Sequence, residues 1–321
     1  MLLDYKKLID RQLNDIVNDL PSLPIYNPIK YILNLGGKRF RASLTLLSAD
    51  IYCGNPQKAI HEAAAIELFH NFTLIHDDIM DDAPLRRAEP TVHEKWDANT
   101  AILSGDLLYA FVNKILALSP VQSSKIHFLF QQTALEVCEG QSLDMAFENQ
   151  VDVSKEDYIH MIKLKTAVLV ACGLKIGALI GGASQSDASL MYDFGINLGI
   201  AFQIHDDILD VYPTEATFGK KVGGDILEKK KTLLFIDLLS KLKDESIKEL
   251  YVFLDDSAID EQDKIDHVKT LFQDYNVLSV VELSKDEYYN EALRCVNQLS
   301  IKDSEKSKLM DFAKALMERK Y

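Results

Sequence analysis

The chain has 321 residues and a mass of 36.2 kDa, room for one large domain or two ordinary ones. Hydrophobic residues make up 47% and charged ones 26%, which excludes a disordered polymer, while only 14 glycines and 8 prolines leave too few turns for a fold of many short strands. The net charge is −14, from 49 acidic and 35 basic residues, the wrong sign for a nucleic-acid binder that works by counterion release.

Taken in order, the first residues, Met1 to Lys7, carry basic side chains with no continuous apolar stretch after them, so no signal peptide is expected. Turn signals at 21–28, 36–37, 54–56, 83–84, 119–120, 181–182, 213 and 223–224 separate the rest. Between them lie stretches of roughly 15 to 30 residues, helix lengths. Residues 60–69 show the pattern well, with apolar side chains at three- and four-residue spacing and alanine at tight contacts. Residues 167–183 are the most apolar; they hold Lys175 and fall short of the roughly 20 residues that span a bilayer, so a buried core helix is expected. From Leu238 onward the helices are amphipathic and carry no chemistry, with Asp255-Asp256 read as solvated surface or a helix cap. Cys53, Cys138, Cys172 and Cys295 form no CxxC pair and read as reduced thiols of a cytoplasmic protein. The expectation is an all-α fold, one large helical bundle forming a single domain over 1–321.

Two acidic segments repeat. His76-Asp77-Asp78-Ile79-Met80-Asp81 and His205-Asp206-Asp207-Ile208-Leu209-Asp210 both read H-D-D-x-x-D, 129 residues apart. On a helix the i, i+4 spacing puts Asp77 with Asp81, and Asp206 with Asp210, on one face. Each follows a strongly apolar run, so the carboxylates are expected at a cleft. A like-charge pair at 6 Å costs about 3 kcal/mol at an effective dielectric of 20, and several such pairs call for cations. Oxygen ligands suit magnesium, which prefers a few carboxylates plus phosphate oxygens, so a diphosphate is the expected third party. Cations for it stand at Lys38-Arg39-Phe40-Arg41, Arg86-Arg87, Lys165, Lys220-Lys221 and Lys229-Lys230-Lys231. The arginine forks match phosphate oxygens in bidentate fashion.

These residues resemble the trans-type polyprenyl (isoprenyl) diphosphate synthases over nearly the whole chain. The resemblance is carried by G-G-K-R-F-R at 36–41, H-x-x-x-x-x-H-D-D-I-M-D at 70–81, L-R-R at 85–87, P-T-V-H at 90–93 and S-G-D at 104–106. G-Q-x-x-D at 140–144, K-T at 165–166, F-Q-I-H-D-D-I-L-D at 202–210 and G-K-x-x-G-x-D at 219–225 continue it. It implies the isoprenoid synthase bundle with a central cleft, a homodimer, and a cytoplasmic enzyme without an integral membrane segment. The implied reaction is head-to-tail condensation of isopentenyl diphosphate with an allylic diphosphate. By the same resemblance Lys38, Arg41, His70 and Arg87 would hold isopentenyl diphosphate. Asp77, Asp81 and Asp206 would ligate three magnesium ions, with Asp78, Asp207 and Asp210 orienting waters. Arg86, Lys165, Lys220 and Lys230 would clamp the allylic diphosphate, and Thr166 and Gln203 would face the reacting carbon. Phe72 and Thr73, one turn before the first cluster, would limit the growing tail. An aromatic there with uninterrupted D-D-x-x-D spacing looks most like geranylgeranyl diphosphate synthases, with farnesyl and longer-chain products as alternatives.

The chain departs from the family pattern at Ala42, where proline is usual, and at Ala88-Glu89, where Gly-Lys is usual. Lys229 stands for a glycine and Leu234 for a proline, and the former leaves both Lys229 and Lys230 open as the clamp. Three other readings compete: a His-Asp metal phosphohydrolase, a class I terpene cyclase, and an inactive partner subunit. The first needs several histidine ligands, the second a metal motif with Asn, Ser or Thr and Glu, and the third the loss of acidic motifs. His76 and His205 are read as structural rather than as ligands.

Overall fold

The computed structural model describes residues 2–117, 119, 123–148, 150, 152–213 and 223–318. In chain order the helices are α1 (Leu2–Asp19), α2 (Asn27–Asn34), α3 (Phe40–Cys53), α4 (Ile60–Met80), α5 (Val92–Lys95), α6 (Ala98–Ala117) and α7 (Ser123–Glu148). There follow α8 (Lys155–Ile162), a π-helical turn (Lys163–Ala167), α9 (Val168–Gly181), α10 (Gln185–Val211), α11 (Gly224–Leu227) and α12 (Leu233–Lys241). The last are α13 (Asp244–Asp255), α14 (Glu261–Asp274), α15 (Val277–Gln298) and α16 (Asp303–Met317). The only strands among the described residues are β1 (Leu85–Arg86) and β2 (Glu89–Pro90), a two-residue antiparallel hairpin. The expected all-α fold is what the chain forms. It groups into two compact units, one of residues 1–134, 169–192 and 299–301, the other of 135–168, 193–298 and 302–321.

The first unit is built on α4. Its Ala63-Ala64-Ala65-Ile66 stretch is fully buried, and small side chains let α3 and α6 pack closely against it, with α1 on α3 and α4. Arg39 is buried at the start of α3 and is fully engaged: Nε donates to Asp10 at 3.0 Å, Nη1 to Glu67 at 3.1 Å and Nη2 to the Leu33 carbonyl at 2.9 Å. Without those three acceptors the buried guanidinium would be strongly destabilising. Glycine does the converse job on α9: a Cβ on Gly177 would come within 2.2 Å of the Thr45 carbonyl oxygen on α3.

The second unit has its core among α12, α14 and α15, joined by Tyr158 and Met161 of α8 and Ile200, Ile204 and Ile208 of α10. The helical run over 155–181 is longer than the segment 167–183 picked out by composition, because α8, the π turn and α9 are continuous. By length and composition this run and α6 could each cross a membrane, but 83% of its apolar window is buried inside the protein, as expected for a core helix. All four cysteines are free thiols.

Candidate active site

In the first unit the acidic motif lies at the C-terminal end of α4. Asp81 is the cap (φ −90°, ψ 1°), and its N–H still donates to the Asp77 carbonyl at 2.8 Å, so the one-turn relation between the two carboxylates survives the end of the helix. Asp77 is half-buried and Asp81 exposed. Asp78, on the other face, is buried and receives Arg86 Nε at 2.9 Å plus a second, shorter contact from Nη2. Burial raises the Asp78 carboxyl above its usual range, with Arg86 opposing. His76 is engaged in packing: its ring is edge-on to Phe72 at 4.7 Å, and Nε2 bonds the Ile102 carbonyl at 3.2 Å. The carboxylates of Asp77 and Asp81 at this helix end offer hard oxygen donors of the kind that suit magnesium.

The same unit gathers cations. Arg41 Nη1 meets His70 Nε2 at 3.2 Å, and Arg87 bonds the Gly36 carbonyl. Gly37 (φ 148°) permits this approach, since a Cβ there would lie 2.8 Å from Arg87 Nη2. Burial, then Arg41, Arg87, Arg86 and Arg39, hold His70 well below its ordinary value, so the imidazole is neutral. Arg41 is lowered by burial, and Arg87 by burial and by Arg39, its neighbouring cation. An anion beside Arg41 and Arg87 would offset what burial takes from their charge, and a diphosphate is an anion of that kind. Lys38 is exposed nearby in sequence. Phe72 packs with Phe69 (centroids 5.3 Å) and Tyr109 (5.5 Å), whereas the Thr73 hydroxyl turns back to the His70 carbonyl at 2.9 Å.

In the second unit one hydrogen-bonded network joins the predicted residues. Thr166 Oγ1 donates to Gln203 Oε1 at 3.1 Å, Gln203 Nε2 donates to Asp207 at 3.0 Å, and the Tyr158 hydroxyl donates to the other Asp207 oxygen. Asp207 is buried, and burial lifts its carboxyl to about 6 against those donors. Lys165, in the π turn, pairs with Asp144 on α7. One turn earlier on α7, Gly140 lets the π turn come close: a Cβ there would meet the Lys165 backbone nitrogen at 2.3 Å. Asp210 accepts the Asp225 N–H at 3.0 Å. Asp206 is half-buried on α10.

The two candidate clamp lysines part company. Lys230 lies 4.0 Å from Asp225; burial works against its charge, but Asp225, Asp144, Asp207 and Glu228 outweigh it and hold the ammonium above its ordinary value. Lys229 pairs with Asp255, whose side chain is 63% exposed, on the outside. Lys220 lies outside the described residues. Residues that sequence reasoning passed over are Tyr158, Asp144 and Asp225. The two aspartates end the quoted G-Q-x-x-D and G-x-D motifs, so spacing could have found them; Tyr158 gave no local signal.

Of the four departures from the family pattern, two fit this backbone and two strain it. Ala42 and Leu234 sit in the first turns of α3 and α12, where no intrahelical N–H bond is lost to proline and alanine or leucine fits as well. Ala88 (φ 64°) and Lys229 (φ 53°) hold left-handed conformations that glycine adopts at no cost. Arg87 (φ 56°) and Ala88 together make the turn between β1 and β2.

Residues 23–273 match the model of the polyprenyl synthetase family. A geranylgeranyl diphosphate synthase of Sulfolobus acidocaldarius is 37% identical over 319 residues, 96% of each chain. A short chain isoprenyl diphosphate synthase of Methanothermobacter thermautotrophicus is 40% identical over 256 residues, 79% of each chain. A crystal structure of a geranylgeranyl pyrophosphate synthase superposes with a TM-score of 0.92 at 41% identity, covering 100% of this chain and 99% of the other. With its two acidic motifs and its arginine cluster in place, the chain belongs to the polyprenyl synthetase family and is a prenyltransferase.

Proposed function

We propose that the chain condenses isopentenyl diphosphate with an allylic diphosphate, head to tail, and stops at the twenty-carbon geranylgeranyl product. The observation that carries this reading is the crowded Arg41–His70–Arg87 group in the unit whose α4 ends in Asp77 and Asp81. Such a group recognises a diphosphate, and the adjoining carboxylates take magnesium. Magnesium, when bound, neutralises the departing diphosphate.

The protein's own groups do the rest. Lys38, Arg41, His70 and Arg87 hold isopentenyl diphosphate. Asp77, Asp81 and Asp206 would ligate the ions, which we take to be three, and Asp210 would orient water on them, while buried Asp78 is held by Arg86 and buried Asp207 by Tyr158 and Gln203. Arg86, Lys165, Lys220 and Lys230 hold the allylic diphosphate as its carbon–oxygen bond breaks. The side-chain oxygens of Thr166 and Gln203 offer dipoles to the positive carbon, and that ordering rests on the hydrogen bond between them. The double bond of isopentenyl diphosphate supplies the electron pair for the new carbon–carbon bond, and a proton leaves to the released diphosphate. Water must be kept from the cation. Phe72, with Phe69 and Tyr109 behind it, acts as the floor that stops the tail, Thr73 lying beside it in sequence. A single catalytic domain, a homodimer and a cytoplasmic setting complete the reading; free thiols support the last.

The test is product analysis with magnesium, labelled isopentenyl diphosphate and allylic primers of five, ten and fifteen carbons. A single twenty-carbon product is expected. Fifteen carbons would keep the chemistry and change the product, and no condensation with any primer would sink the reading. Asp77→Ala is expected to lower turnover by about 10³-fold with the circular dichroism spectrum unchanged; near-normal turnover would remove Asp77 from the mechanism.

A further inference from the structure

We propose that Asp82, His93 and Glu94 form a binding site for a divalent transition-metal ion, zinc above all, distinct from the two acidic motifs. Their ligand atoms, one from each side chain, all lie within 4.8 Å of one another in the first unit. Neighbouring ligands on a tetrahedral zinc are about 3.3 Å apart, given bond lengths of about 2.0 to 2.2 Å. The exposed carboxylates of Asp82 and Glu94 close the difference by rotation.

His93 is the independent sign. Its side chain is only 9% exposed, yet Nε2 is buried with no hydrogen-bond partner among the described residues. The nearest carboxylate oxygen, of Glu94, is 3.8 Å away, beyond hydrogen-bond range. A buried ring nitrogen left so is destabilising, and a metal ion would satisfy it. The other ring nitrogen is already oriented, since Nδ1 lies 3.2 Å from the hydroxyl of fully buried Thr91. With Nδ1–H donating there, Nε2 presents its lone pair toward the carboxylates. A ring so aimed by its second nitrogen is how histidine is held on metals. One imidazole and two carboxylates select zinc or a neighbouring transition ion, whereas the all-oxygen motif at Asp77 and Asp81 suits magnesium. Asp82 follows Asp81 directly, in a left-handed conformation (φ 47°). Coordination would therefore tie the end of the first acidic motif to α5.

The experiment titrates cobalt(II), a coloured probe for zinc sites, into the full chain with magnesium in excess. One equivalent is expected to bind with visible d–d bands and to be displaced by zinc. His93→Gln should lose those bands, and Asp77→Ala should keep them, which separates this site from the catalytic motif. If His93→Gln fails to fold by circular dichroism, Glu94→Gln carries the same expectation on an exposed side chain. Undiminished bands in the folded site variant, loss of bands in Asp77→Ala, or no bound equivalent in the wild type would each overturn the proposal.

Discussion

Lys229 and Lys230 are neighbours in sequence with different partners. Lys230 is drawn toward Asp225 and the carboxylates around it, while Lys229 turns outward to Asp255 through a left-handed backbone. Lys230→Ala is expected to lower turnover by about 10²-fold, the scale of losing one preorganised charge at a leaving group, and Lys229→Ala to stay within about twofold of wild type. Lys229→Gly is expected to raise stability by about 0.5 to 1 kcal/mol, read as a higher denaturant midpoint at unchanged slope, because glycine relieves the positive φ. A larger kinetic effect at 229 than at 230 would reverse the assignment, and equal effects would abolish it. The H-D-D-x-x-D motifs were legible as motifs because the i, i+4 relation is local. The choice between two adjacent lysines was not, since it depends on Asp225 and Asp255, which only packing brings near.

At the scale of elements, close approach decides which groups pair in the second unit. Lys165 reaches Asp144 from a π turn, and the turn fits because Gly140 offers no side chain. A methyl at 2.3 Å from the Lys165 nitrogen meets backbone and cannot be absorbed by a rotamer. Gly140→Ala is therefore expected to cost about 2 to 3 kcal/mol and to lower kcat as well. Gly177→Ala, which drives α9 from α3, should cost about as much while leaving the kcat of the folded fraction near wild type. Similar kcat losses in both would show that the Gly140 effect is stability alone. Phe72 belongs to this scale too, since its ring is held by Phe69 on its own helix and Tyr109 on α6. Phe72→Ala should lengthen the product beyond twenty carbons; an unchanged product would put the floor elsewhere. Helix periodicity made α4 and α10 readable, but periodicity contains no term for a π turn or for which glycine faces a neighbour.

Across the whole molecule the net charge of −14 matters most where acids are buried. Burial lifts Asp207 to about 6 and Asp225 to about 7, in the second case against Lys230. A carboxyl raised in the folded state binds its proton more tightly there than in the unfolded chain. Its stabilising contribution is full below the ordinary aspartate value, about 4, and is lost as pH rises through 6 and 7. For the metal-free protein Asp225→Asn removes that loss, so its stability relative to wild type should rise between about pH 5 and about pH 8 in denaturant unfolding. A difference that stays constant over that interval would show that Asp225 titrates normally.

The sequence by itself determined the helical class, the two carboxylate faces, the cation inventory and the family resemblance. Each rests on spacing within a turn or on the order of short motifs, and such relations survive any packing. Tertiary structure decided what those residues touch: Arg86 on Asp78, Tyr158 and Gln203 on Asp207, Asp144 on Lys165, and Lys230 rather than Lys229 beside Asp225. It also gave the reason glycine is usual where Ala88 and Lys229 stand, since both backbones are left-handed. Contacts between residues far apart in the chain are set by how helices bury their apolar faces, and that information is spread over the whole core rather than written at the site.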